Sequence, residues 1–408
     1  MKSTVTEVTQ DRAALGWQMW IPCTAMAACS WLAFVDRQVL AVLSPTILKE
    51  TGMSAADYGT AFSLFFYVYA LSNLLWGSLL DYLGLRIGMI VAVTFWSLAS
   101  ASHALMSGFW GFAIARGLLG LGEGATFPGG LRTAVESLPA NLRARGIATS
   151  FSGGTIGAIV TPLIAIPVGA AFGWRAAFIL SGLLGAGWVV LWLAVGRPPF
   201  LPKVERKAKK ITWPNPLERR FWSLVFSYAL PCIAPGPILT IIPLYLNRAM
   251  GVSQTDLRNI IWMPPLAWGI GYFFWGWVAD RYAAGNPRPT GLFALLTVFA
   301  LAFGLTPWTS SVMIAMLLIS WAAFVGGGFQ MVALKVGSLS FPREQAAMMS
   351  GIASGAFALE NAILSPYFGQ LLDQRQYAAL FWIIAVFPLI GISAWWFLTR
   401  YEKVGAIK

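Results

Sequence analysis

Residues 77–86 read Gly77-Ser78-Leu79-Leu80-Asp81-Tyr82-Leu83-Gly84-Leu85-Arg86, and 199 positions later residues 276–281 read Gly276-Trp277-Val278-Ala279-Asp280-Arg281. Each copy stands where an apolar stretch gives way to a polar turn. One Gly-x-x-x-Asp pattern at equivalent ends of two apolar stretches, offset by close to half of a 408-residue chain, reads as a duplication. Glycines at such a place let two helix ends approach closely. Asp81 can accept from the amides of a helix start, while Arg86 can bind end carbonyls or a partner acid.

Outward from these turns the chain is apolar almost throughout. Hydrophobic residues make up 58% and charged residues 11%, where a soluble domain carries about 25% charged residues. A water-soluble globule is therefore excluded. Stretches long enough to cross a bilayer, roughly 20 residues each, are expected at 18–43, 58–78, 87–107, 109–131, 146–170, 175–196, 220–246, 257–279, 290–308, 311–334, 347–371 and 377–399. The fold class expected is an all-α membrane protein of twelve transmembrane helices in two six-helix bundles. The bundles are residues 1–196 and 220–408, joined by the Pro- and Lys/Arg-rich segment 197–219 as a cytoplasmic linker.

Basic residues in short loops stay cytoplasmic. With the amino terminus inside, Arg86, Arg132, Arg143, Arg145, Arg281, Arg343 and the basic linker fall on the inner side, and the outer loops keep Lys49, Arg175, Arg248, Arg258 and Arg375. Both termini are then cytoplasmic. The polar first sixteen residues read as a free tail, lacking the apolar core and cleavage site of a signal peptide. The net charge of +12 follows from this bias and from contact with anionic lipid heads, without nucleic acid. Cys23, Cys29 and Cys232 fall inside expected helices and read as small buried residues. No metal-ligand cluster is present, and His103 reads as a packing or interfacial residue.

Duplicated membrane halves are a transporter architecture. The spacing Gly77-x-x-x-Asp81-x-x-Gly84-x-Arg86 resembles the signature loop of the major facilitator superfamily. The resemblance implies that Gly77, Asp81 and Arg86 form a conformational latch, with Gly276 and Asp280 as its degenerate second copy.

Ionisable residues at the bilayer centre cost roughly 2.5–3.5 kcal/mol each on insertion scales, so those present face the interior, pair or serve function. Span one carries Asp36-Arg37, span four Arg116 and Glu123, and span eleven Glu360; Lys335 lies near the end of span ten. Arg116 and Glu123 are two helical turns apart and share a face. One reading pairs Asp36 with Arg116 and Arg37 with Glu123 as static ion pairs. The other has a partly desolvated carboxylate that takes up a proton beside an arginine that binds a substrate carboxylate through paired hydrogen bonds.

Asp36-Arg37, Arg116-x-x-x-Gly120-x-x-Glu123-x-x-x-x-Pro128, Gly173-Trp174-Arg175, and Pro342-x-Glu344 with Gly351 and Asn361 resemble the anion:cation symporter family. That family includes sugar-acid, tartrate and phthalate permeases and vesicular glutamate and sialic acid transporters. The resemblance implies proton coupling by Asp36 and Glu123, carboxylate binding by Arg37 with Arg116, and hydroxyl binding by Tyr69 and Asn361. Two departures stand out: Gln38-Val39 follows Arg37 where the family has x-Asn, and Glu360 precedes Asn361 where it has Gly. Glu360 joins the candidate substrate-binding residues, and three other readings stay open: a further proton site, a cation site, or a partner for Lys335.

Pro231, Pro235, Pro237 and Pro243 in span seven mark a bending element or cavity wall. Trp262, Trp321 and Trp382 lie within spans as packing residues or stacking surfaces for a ligand. The expected function is proton-coupled symport of a small organic anion, most simply a sugar acid, by a monomer in the plasma membrane (the inner membrane of a bacterium). The proton is the coupling ion and no other cofactor is expected. Drug or metabolite efflux by proton antiport is the alternative, and a membrane-embedded enzyme a remote one, since no nucleophile, nucleotide loop or metal motif appears.

Overall fold

The computed structural model describes residues 16–139, 142–201, 214–282 and 288–400. The amino-terminal tail and most of the 197–219 linker lie outside the described residues. Among those described the chain is helical, with no strand.

Two compact units are present. The first holds the residues up to Leu43 and those from Tyr67 to the linker; the second holds Ser44–Phe66 and everything after the linker. In chain order the helices are α1 (Ile21–Val42), α2 (Ser44–Thr51), α3 (Ala55–Leu83), α4 (Leu85–Ser102), α5 (Phe109–Glu123), α6 (Thr126–Ser137), α7 (Arg143–Phe172) and α8 (Trp174–Val195). They continue as α9 (Arg219–Tyr228), α10 (Pro235–Thr240), α11 (Ile242–Met250), α12 (Gln254–Ile260), α13 (Met263–Tyr282), α14 (Thr290–Ala300), α15 (Val312–Ser340), α16 (Arg343–Asp373) and α17 (Tyr377–Thr399).

Eight of the described helical stretches are long and apolar enough to cross a membrane, or nine if α3, bent by 49° between Asn73 and Leu75, counts as one span. The helices at the other expected positions are broken or more polar. Span four is divided into α5 and α6 around Gly124-Ala125, α13 ends in Asp280-Arg281-Tyr282, and α16 carries Glu360 and Asn361.

The first unit is built on close backbone approach. Without aqueous driving force, membrane helices associate through small residues and good packing. At Gly153 of α7 a side chain would collide with the Ala27 carbonyl of α1, and at Gly157 with that of Trp31. These two glycines bring α1 and α7 together and fix the rotation of α1, which carries Asp36 and Arg37. The turn between α3 and α4 passes through Gly84 at φ 89°, a conformation that favours glycine. Cys23 and Cys29 are buried free thiols. His103 is buried, its ring stacked on Phe178 at 4.9 Å, with Nδ1 2.9 Å from the Ala99 carbonyl oxygen.

In the second unit, Pro231 and Pro235 lack the amide that a continuous helix needs. The expected bending element accordingly appears as α9, a 3-10 turn over Leu230–Cys232, and α10. This break packs on a core that includes Trp275, Phe293, Phe329 and Trp395. Trp321 and Trp382 serve packing: the Trp321 indole donates to the Phe299 carbonyl, and Trp382 lies against Gly304.

Residues 44–66 are bound into this unit by a set of polar contacts. Tyr58 Oη donates to the Thr240 carbonyl at 2.6 Å, and Ser63 Oγ to the Ala362 carbonyl. The Asp373 carboxylate, at the end of α16, accepts from the first amides of α3, Ala55 at 3.0 Å and Ala56 at 2.9 Å, and from Arg248 Nη1 at 2.8 Å. Burial alone would raise the pKa of Asp373, but the bonds from Arg248 and the two amides outweigh it and hold the carboxyl below its ordinary range.

Candidate functional site

The rotation of α1 against α7 and the position of α5 bring four charged side chains of the first unit together. Asp36, Arg116 and Glu123 are fully buried, and Arg37 retains 19% of its side-chain exposure. Arg37 Nε donates to Glu123 Oε2 at 2.5 Å, so one of the two ion pairs weighed from sequence is formed. The guanidinium of Arg37 also lies over the Tyr69 ring at 4.5 Å and near that of Phe34 at 5.2 Å. Tyr69 therefore belongs to the same cluster, with its ring face on the guanidinium and its hydroxyl in hydrogen-bonding reach of it.

Asp36 is held differently. Its Oδ1 accepts from Ser100 Oγ of α4 at 2.7 Å, and Ser100 is in turn 2.8 Å from Ser181 Oγ of α8. Arg116 is within electrostatic reach of Asp36, Glu123 and His103. Sequence reasoning missed Ser100 and Ser181, because a serine in an apolar span carries no distinctive signal until its partner is known. One oxygen of each carboxyl, Oδ2 of Asp36 and Oε1 of Glu123, has no hydrogen-bond partner. Two acids and two guanidiniums in one desolvated cluster balance in charge, and each acid keeps an oxygen on which a proton can sit.

The candidates of the second unit lie on α16. Asn361 is buried, donates from Nδ2 to its own helix at the Phe357 carbonyl at 2.9 Å, and presses its Oδ1 on Gly236 of α10. Glu360 is 7% exposed and neither of its oxygens has a hydrogen-bond partner. The pairing of Glu360 with Lys335 is not made. Lys335 Nζ donates instead to Asp280 Oδ1 at 2.6 Å.

The latch residues take up local partners. Arg132 of α6 bridges Asp81 at 2.8 Å and Glu136 at 2.5 Å, and Arg86 Nη2 donates to the Leu193 carbonyl at 3.2 Å. A side chain at Gly77 or Gly276 would meet open space, so close packing is not what these two glycines serve within their own units.

The sequence profile of the Major Facilitator Superfamily matches residues 26–359, and a second, overlapping match covers 224–408. This chain belongs to the major facilitator superfamily. As a member it is a multi-pass membrane transporter and not an enzyme. It is 25% identical over 404 residues to the hexuronate transporter of Escherichia coli K12, covering 92% of this chain and 93% of that protein. It is 28% identical over 392 residues to the D-galactonate transporter of Escherichia coli O6:H1, covering 88% and 90%. The crystal structure of a bacterial homolog of the human lysosomal transporter Spinster superposes with a TM-score of 0.77 over 94% of this chain and 97% of that one, at 19% identity. That likeness is one of fold.

Proposed function

We propose that this superfamily member is a proton-coupled symporter of a small organic anion, a sugar acid or related carboxylate, working as a monomer by alternating access. In this reading twelve helices cross the plasma membrane, the inner membrane of a bacterium, with both termini cytoplasmic. Beyond the eight apolar helices and the bent α3, the helices α5 with α6, α13 and α16 supply the remaining spans.

The observation that carries the proposal is the buried Asp36, Arg37, Arg116 and Glu123 cluster, in a chain whose relatives include carriers of hexuronate and galactonate. Uncompensated charge in such a place is costly. A proton delivered to Glu123 neutralises the partner of Arg37 and loosens the ion pair. The guanidinium then offers its planar fork to a substrate carboxylate, which restores charge balance. Asp36, steadied by Ser100, is the second proton acceptor, and Arg116 keeps the cluster neutral between steps. Tyr69 stacks on Arg37 and limits the angle at which the carboxylate approaches. Proton and anion therefore each favour the occupancy of the other, which is the condition for coupling. Two buried guanidiniums suit an anionic cargo better than the lipophilic cations of drug efflux.

In liposomes, an inward proton gradient should drive accumulation of D-galactonate or D-glucuronate. Asp36→Asn and Glu123→Gln should each abolish gradient-driven accumulation. Full accumulation in both variants would sink the proton assignment.

A further inference from the structure

Glu360 is an acid without a counterpart. It is 7% exposed on α16, both oxygens lack a hydrogen-bond partner, and Lys335, the lysine weighed as its partner, donates to Asp280. Within electrostatic range of it, on the 3-10 turn between α9 and α10, is the thiol of Cys232, buried and free, which in turn has Tyr272 in its range. From the other elements packed on α16, Tyr58 of the 44–66 segment spends its hydroxyl on the Thr240 carbonyl, and the neighbouring faces of α15 and α17 contribute core side chains such as Phe329, Ala333 and Trp395. Among the described residues no hydrogen bond or ion pair reaches the carboxyl of Glu360.

Burying a carboxylate with no counter-ion or hydrogen-bond donor is costly, whereas the neutral acid needs no counter-ion. A metal cation would need several oxygen ligands, and Cys232 with aromatic and aliphatic neighbours does not supply them. The flanking Pro231 and Pro235 leave α9 and α10 short of helical hydrogen bonds, so the wall beside Glu360 is the part of this unit that can open to water at least cost. Wetting is what an acid here requires before it can release its proton.

We propose that Glu360 is a proton-carrying group of the second unit, separate from Asp36 and Glu123, which loads a proton while buried and releases it when the α9–α10 break admits water. The proposal rests on the proton-coupled reading above and adds one proton to each transport event.

Two measurements on the purified full chain test it. Infrared spectra at neutral pH should contain the C=O stretch of a protonated carboxylic acid that disappears in Glu360→Gln, persists in Glu360→Asp, and persists in Asp36→Asn. In liposomes with D-galactonate and D-glucuronate as probes, the proton-to-anion ratio, read from the reversal potential, should fall by one in Glu360→Gln and be restored in Glu360→Asp. Absence of the band from the wild-type spectrum, its survival in Glu360→Gln, an unchanged ratio, or a ratio that responds to sodium in place of protons would overturn the proposal. A wild-type carrier indifferent to the proton gradient would instead overturn the symport reading, while the infrared arm would still decide the state of Glu360.

Discussion

Removing Arg37 should harm the protein more than removing Arg37 and the charge of Glu123 together. Glu123 is fully buried and its Oε2 is held by Arg37 Nε. Truncation to alanine strands that carboxylate, and breaking a buried pair by deleting one partner costs about 3–5 kcal/mol. Part of the loss is unrelated to Glu123, because the guanidinium also lies over the Tyr69 ring at 4.5 Å, a contact worth about 0.5–2 kcal/mol. In the double variant Arg37→Ala/Glu123→Gln no charge is stranded, so the ring contact and some packing are what is lost, about 1–2 kcal/mol. The double variant should therefore be about 2–3 kcal/mol more stable than Arg37→Ala alone, and the coupling energy exceeds that difference by whatever Glu123→Gln costs by itself. Unfolding midpoints of the purified variants in one detergent, with the single Glu123→Gln closing the cycle, give this number. Additive losses, with the double variant less stable than Arg37→Ala, would refute the claim that Arg37 is the group compensating Glu123.

Two further outcomes follow from other parts of the molecule. Asp373→Asn removes the charge that meets Arg248 and the Ala55 and Ala56 amides, and should lower stability by about 1–2 kcal/mol; since the folded-state pKa of Asp373 lies below the unfolded value of about 3.9, its contribution is full above that pH and vanishes as pH falls through the folded value, so wild type and variant should converge in acid thermal melts and separate at neutral pH. Gly153→Val drives a side chain into the Ala27 carbonyl, a backbone group that cannot yield, and should cost about 3 kcal/mol or more and abolish the folded peak in size-exclusion chromatography, while Gly187→Ala, which meets open space, should elute as wild type.

The helical membrane class and the grouping of Asp36, Arg37, Arg116 and Glu123 were legible in the chain because both depend on short-range rules. Hydropathy marks a span within its own length, and two residues seven apart on a helix share a face whatever surrounds them. The partner of each charge was harder to read. The Arg37–Glu123 pair joins residues 86 apart and depends on the rotation of α1, which glycines on α7 decide. Ser100 and Ser181 acquire meaning through contact with Asp36, and Arg132 takes Asp81 through a fold-level approach that no local pattern encodes. Span four was read as one helix although α5 ends at Glu123, because Gly120, Gly122 and Gly124 are unremarkable in an apolar run. Residues 44–66, read as part of the first bundle, lie in the second compact unit; backbone approaches such as Gly59 to Ser365 and Gly369 to Ala55 make that assignment, and sequence periodicity has no access to them.

The carboxylate of Asp373 completes the start of α3 from 318 residues further along the chain. During synthesis the ribosome delivers Ala55 long before Asp373, so the opening amides of α3 must wait, solvated or bound by something else, until most of the protein has been made. The second unit is thus the last to close, although part of it is made among the first helices. Such non-local pairing slows assembly and leaves early surfaces exposed in the meantime. Truncated chains ending before residue 373 should accordingly be handled by the cell as unfinished protein, whatever the state of their first unit.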